Sequence, residues 1–168
     1  MTPEKQKEAT TLVNDIEEDL TRIATVYGHI EKDLELLQQD DSAFGQVPRD
    51  YVVEATASHI HDLYTGIENI YQRIIIFTDG KKPTGQDFHK KVLEIAHETL
   101  KLSDEDENRL LDDLRGFRHV FRKAYGMRMD PERVETKAKE ICLRWAGIKL
   151  KITNFQKQFR QDPPGQSP

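Results

Sequence analysis

An apolar stripe stepping by four and three residues constrains this chain more than any other feature. Leu12 or Val13, Ile16, Leu20, Ile23, Tyr27, Ile30, Leu34 and Leu37 recur at that spacing, which puts them on one face of a single helix of about ten turns. Thr2 and Pro3 read as its N-cap and first position, where the amide hydrogen that proline lacks has no partner inside the helix anyway. Asp40-Asp41-Ser42 and the stretch Gly45 to Pro48 then interrupt the pattern with turn-forming residues. From about Arg49 the stripe resumes through Ile60, Leu63, Ile67, Ile70 and Ile74, and Asp79-Gly80 stops it, glycine being able to take the left-handed conformation of a helix C-terminus. Two long helices joined by a short polar connection should pair antiparallel. Ile74-Ile75-Ile76-Phe77 continues a helical stripe, and no second β-type segment exists to pair with it as a sheet.

The rest of the chain repeats this logic. Asp87 to Thr99 forms a short helix that uses Phe88, Val92, Leu93 and Ala96. Ser103, with Asp106 three residues on, is the expected capped start of a fourth helix, which reaches residue 125 with Leu110, Leu114, Phe117 and Phe121 inward and Gly126 as its stop. Asp130-Pro131 opens the last helix, whose inward face is Val134, Ala138, Ile141, Trp145, Ile148, Ile152, Phe155 and Phe159. A hydrophobic content of 36% is low, but its helical spacing still allows a core of packed faces. The sum is an all-α antiparallel bundle of about five helices over residues 1–160, followed by a disordered tail, 161–168, whose prolines and glycine cannot continue a helix. Gly66 inside the second helix costs about 1 kcal/mol relative to alanine, which points to close approach of a neighbouring helix there.

Composition closes off several function classes. No apolar run approaches the roughly 18 residues of a membrane span, and Met1-Thr2-Pro3-Glu4 lacks the layout of a signal peptide, so no membrane association and a cytoplasmic location are expected. Cys142 is the single cysteine; it forms neither an intrachain disulfide nor a thiol redox pair and reads as a small buried residue near Trp145. His59, His61, His89 and His97 make no ligand pair and are expected to be structural or exposed, with no metal site and no cofactor.

The net charge of −5 conceals a strong asymmetry. Residues 1–41 carry eleven acids against four bases, whereas Arg115, Arg118, Arg122, Lys123 and Arg128 fall in a stretch with no acid, and residues 133–160 add eight bases against two acids. An acidic first helix with a basic C-terminal half suits either an RNA-binding face or charge-complementary self-association. Cleavage of RNA through its own 2′-hydroxyl needs a proton acceptor, a proton donor to the leaving oxygen and cations around phosphorus, with no obligatory metal. An arginine and a histidine on one helix end can supply these. Residues five apart on a helix point about 140° away from each other, so convergence is easiest at a helix end or across a two-fold dimer.

The segment Arg115-Gly116-Phe117-Arg118-His119-Val120-Phe121-Arg122-Lys123-Ala124-Tyr125-Gly126 resembles the R-x4-H-x-Y motif of HepT-like HEPN proteins. His61-Asp62-Leu63-Tyr64-Thr65-Gly66-Ile67-Glu68 and Asp87-Phe88-His89 resemble other parts of that family. The resemblance implies a helical, dimeric, metal-independent ribonuclease acting on RNA, transfer or messenger, as the toxin partnered by a minimal nucleotidyltransferase antitoxin. It implies Arg118, the residue at position 123 and Tyr125 as catalytic, with Tyr125 also the residue that such an antitoxin adenylylates. Arg115, His119 and Arg122 would hold RNA. Lys123 stands where the family has histidine, and a lysine is a poor proton acceptor at neutral pH although it binds phosphate. A natural variant with partial activity, a natural loss of catalysis and a substitution made to allow production all fit. Other readings from the same residues are a non-catalytic HEPN module that binds a partner protein, and an RNA-binding bundle.

Overall fold

The computed structural model describes residues 2–39, 48–123 and 128–159. It contains helices α1 (Pro3–Leu37), α2 (Arg49–Asp79), α3 (Phe88–Glu94), α4 (Glu105–Lys123) and α5 (Pro131–Lys157), with no strand among the described residues. The expected all-α bundle is therefore what forms. The connection at 40–47, Gly126 and the tail at 161–168 lie outside the described residues.

Helix ends follow local chemistry. Thr2 Oγ1 accepts from the Lys5 amide at 3.3 Å with Pro3 in the first turn, and Asp130 accepts from the Glu132 amide at 3.1 Å ahead of Pro131. Gly80 ends α2 at φ 73° with its amide on the Ile76 carbonyl at 2.9 Å. The start of α4 differs from expectation by one residue: the Asp104 amide donates to Glu107 Oε2 at 2.8 Å and the Glu107 amide to Asp104 Oδ1 at 2.9 Å. That capping box wins over Ser103 and Asp106 because Lys151 of α5 completes it, lying 3.2 Å from Asp104 Oδ2 and 2.9 Å from Glu107 Oε1. Ser103 is instead buried against His97. The third helix also departs from expectation: beyond Glu94 the chain widens into a π-type turn, Ile95–Thr99, with the Leu100 amide on the Ile95 carbonyl at 3.0 Å. The wider turn lets Leu102 enter the core, where its carbonyl accepts the Tyr71 hydroxyl at 3.0 Å.

Helix α2 is the hub, packing against α1, α3, α4 and α5. Its pairing with α1 is antiparallel: Arg73 reaches Asp15 and Asp19, and His59 reaches Asp33. Between those points a side chain on Gly66 would run into Ile23, Cβ to Cγ1 at 2.6 Å, so the expected close approach is present. Most of the apolar stripes are buried; Leu20, Tyr27, Leu34, Phe88, Phe121 and Phe159 are only partly so, packed on the rim of the core. Cys142 is likewise half-buried. Among the described residues no helix is long and apolar enough to cross a membrane.

Candidate functional site

Between the start of α3 and the last two turns of α4 lies an open groove of about 710 Å³. Lys90, Arg115, Arg118, His119, Arg122 and Lys123 line it together with Gln86, Asp87, His89 and Gly116. Five permanent cations thus face one carboxylate in a chain whose net charge is −5. Arg118 and Lys123, five residues apart on α4 and so pointing about 140° away from each other, both line this groove, whose facing wall is the start of α3 and the segment before it.

The two walls are set by different local rules. On α3, the left-handed Gly85 at φ 104° makes the entering turn, with the Phe88 amide on its carbonyl at 3.2 Å. Val92 and Leu93 are buried, and His89, three and four residues earlier, therefore lies on their inward flank at the rim. On α4, burial of Leu110, Leu114 and Phe117 fixes the rotation. Arg118 sits beside Phe117 at the edge of the core, while His119, Arg122 and Lys123 are exposed.

Beneath the groove lies a polar cluster centred on Glu68, which is 2% exposed. Its Oε1 accepts from the Tyr64 hydroxyl at 3.1 Å and faces His89 Nδ1 at 2.5 Å. Its Oε2 lies 3.5 Å from Arg118 Nη1. That same Nη1 is 3.2 Å from each ring nitrogen of His89. With its proton on Nδ1, the imidazole donates to Glu68 and presents the Nε2 lone pair to Arg118. Burial, and after it the Glu68 carboxylate, push the Tyr64 hydroxyl far above the ordinary phenol range, so it remains a hydrogen-bond donor. A buried carboxylate is retained only where such partners surround it.

Among the described residues, Arg118 makes its polar contacts through Nη1, and its Nε is buried without an acceptor. Arg115 is held by Asp112 at 2.8 Å, and Lys90 lies 3.6 Å from Glu94. None of the described residues forms an ion pair with Arg122 or Lys123. A dianionic or polyanionic ligand would therefore meet, in Arg122 and Lys123, cations with no ion-pair partner among the described residues, above an arginine whose position is fixed from below.

Arg115, Arg118, His119, Arg122 and Lys123 thus converge on one surface. Tyr125 lies outside the described residues. Two members of the cluster lie in segments that resemble the family but carried no assigned role in the sequence reading, which left Glu68 facing either the active end or solvent. His89 was expected to be structural or exposed, yet it joins a buried carboxylate to Arg118. Glu68 is the other, and its signal was legible: Ile60, Tyr64, Glu68, Tyr71 and Ile75 step by four, four, three and four, so a lone carboxylate sits inside an inward stripe. His59, His61 and His97 are occupied elsewhere, on Asp33, Asp62 and the Ser103 carbonyl. Among the described residues no three of histidine, cysteine, aspartate and glutamate are grouped to hold a metal ion.

Comparison with known proteins fits this architecture. Residues 55–159 match the family model described as HepT-like protein, a span that includes both walls of the groove and the Glu68 cluster. No curated protein and no solved structure matches the chain. A match over well over half of the chain, on an all-helical bundle, identifies it: this chain belongs to the HepT-like protein family.

Proposed function

We propose that this chain is an endoribonuclease of the HEPN type, the toxin of a toxin and antitoxin pair, cutting RNA without an obligatory metal. The observation that carries the reading is the cationic groove with Arg118 anchored at its floor by buried Glu68. RNA lies along Arg115, His119 and Arg122, and Arg118 stabilises the charge that gathers on phosphorus. Lys123, at the motif position, keeps an ammonium beside the scissile phosphate and donates a proton to the leaving oxygen. A minimal nucleotidyltransferase antitoxin would silence the enzyme by adenylylating Tyr125, and a homodimer would widen the cationic surface.

The test compares this chain with its Lys123→His form, each incubated with total cellular RNA and a chelator. Both are expected to cut, the histidine form faster, because imidazole exchanges protons near neutral pH more readily than an alkylammonium. Cutting by the histidine form alone would make this chain an inactivated ribonuclease. If neither cuts, the ribonuclease reading falls. Lys123 itself favours one alternative, a non-catalytic HEPN module, which predicts no RNA affinity at any salt concentration and loss of partner binding when first-helix charges are reversed.

A further inference from the structure

A groove that breaks RNA through its 2′-hydroxyl must hold a proton acceptor, and Lys123 is ill suited to that role. Two imidazoles line the groove, His89 and His119. His119 is exposed, and no described residue accepts from or donates to its ring to fix its orientation. His89 is held in the way an oriented base requires. Its Nδ1 is 2.5 Å from Oε1 of Glu68, that carboxylate is 2% exposed, and Tyr64 donates to the same oxygen. A buried carboxylate on one nitrogen fixes the tautomer and the ring plane and stabilises the imidazolium formed when the other nitrogen takes a proton. The ring is not sealed in: its side chain is 39% exposed. Arg118 Nη1, 3.2 Å away, brings the cation for the phosphate to the edge of the same ring.

We propose that His89 is the proton acceptor of this chain, with Glu68 as the positioning residue that orients it. The proposal rests on the ribonuclease reading above and adds to it a catalytic group outside the Arg118 to Tyr125 segment. As Arg118 Nη1 turns from Nε2 of His89 to the incoming phosphate, the freed Nε2 takes the proton of the 2′-hydroxyl while the 2′-oxygen bonds to phosphorus. The bond from phosphorus to the 5′-oxygen breaks, and the departing oxygen takes a proton from the Lys123 ammonium. The products are a 2′,3′-cyclic phosphate and a 5′-hydroxyl end, and proton exchange with water restores both side chains. No water, oxidant or metal is consumed.

The test uses the full chain with an end-labelled mixed-sequence oligoribonucleotide, and a 2′-deoxy copy of it to measure binding. His89→Ala is expected to lose roughly 10²- to 10⁴-fold in kcat, with affinity for the deoxy copy changed only a few-fold. Added imidazole should restore part of that rate in His89→Ala, and nothing in His119→Ala, whose loss lies in KM. Glu68→Gln should lower kcat while His89 remains in place. Helix content measured by circular dichroism separates these losses from unfolding, and His89→Gln, which keeps a donor for Glu68, serves where His89→Ala folds poorly. A His89→Ala or His89→Gln protein that cuts at the original rate overturns the proposal, as does a folded His89→Ala that imidazole fails to rescue. The two readings fail differently. If Lys123→His cuts equally well with and without His89, the ribonuclease stands and the His89 assignment falls; if no form cuts, both fall.

Discussion

Two glycines in long helices show how one residue type answers to opposite constraints. At Gly66, in α2, an added Cβ would lie 2.6 Å from Ile23 Cγ1 and 3.0 Å from Cδ1; at Gly28, in α1, it would meet nothing within 4 Å. Alanine gains about 1 kcal/mol of helix propensity at either site. At Gly66 it must also displace a β-branched side chain with little freedom of its own, an overpacking cost of roughly 1–3 kcal/mol. Gly28→Ala should therefore raise stability by up to about 1 kcal/mol, and Gly66→Ala should lower it by up to about 2 kcal/mol. Denaturant unfolding of the two variants checks this, and equal stabilisation would show that the Ile23 contact does not govern the site. Because Gly66 lies between Tyr64 and Glu68, that contact also sets the depth at which α2 carries the polar cluster.

At the scale of elements, the start of α4 ties the wall of the groove to α5. Asp104 caps the helix, Glu107 returns the bond, and Lys151 bridges both from α5. Gly147 permits this approach, since a side chain there would collide with Glu107. The hydrogen bond from the Glu107 amide, together with Lys151 and against a smaller opposing effect of burial, holds the Asp104 carboxyl below its ordinary value of 3.8. A group whose folded value is depressed stabilises the fold above its unfolded value, and that contribution disappears as pH falls through the folded one. Acidification below about pH 4 should therefore weaken the protein partly through Asp104. Asp104→Asn keeps an acceptor for the Glu107 amide but cannot titrate. Its unfolding midpoint should fall less than the parent's between about pH 5 and pH 3; parallel losses would exclude this linkage.

For the whole molecule, the decisive property is the separation of charge. Acids of α1 are drawn into pairs such as Arg73 with Asp15 and Asp19, whereas Arg122 and Lys123 of the groove are exposed and have no ion-pair partner among the described residues. RNA binding should weaken linearly with the logarithm of salt concentration, and each phosphate contact removed should reduce the slope by about 0.7 for a single strand. Arg122→Ala and Arg115→Ala are expected to flatten the slope in this way, while Glu35→Lys on α1 should not. Filter binding over a salt series measures it, and unchanged slopes in both arginine variants would place RNA elsewhere on the surface.

The stripes of four and three, the caps at Thr2 and Asp130 and the stop at Gly80 were determined by the sequence, because helix periodicity and end chemistry depend on residues within one turn of each other. Arg115, Arg118, Arg122 and Lys123 were legible as a basic cluster for the same reason. The register of α4 and the widened turn after Glu94 were not, since Lys151 and Tyr71 act on them from other helices, across 44 and 31 positions of sequence. Nor could periodicity alone join His89 to Glu68 and Arg118, which lie 21 and 29 residues from it. Their meeting depends on α2 packing against both α3 and α4, and a carboxylate is retained in a buried junction of this kind only where the helices around it supply its partners.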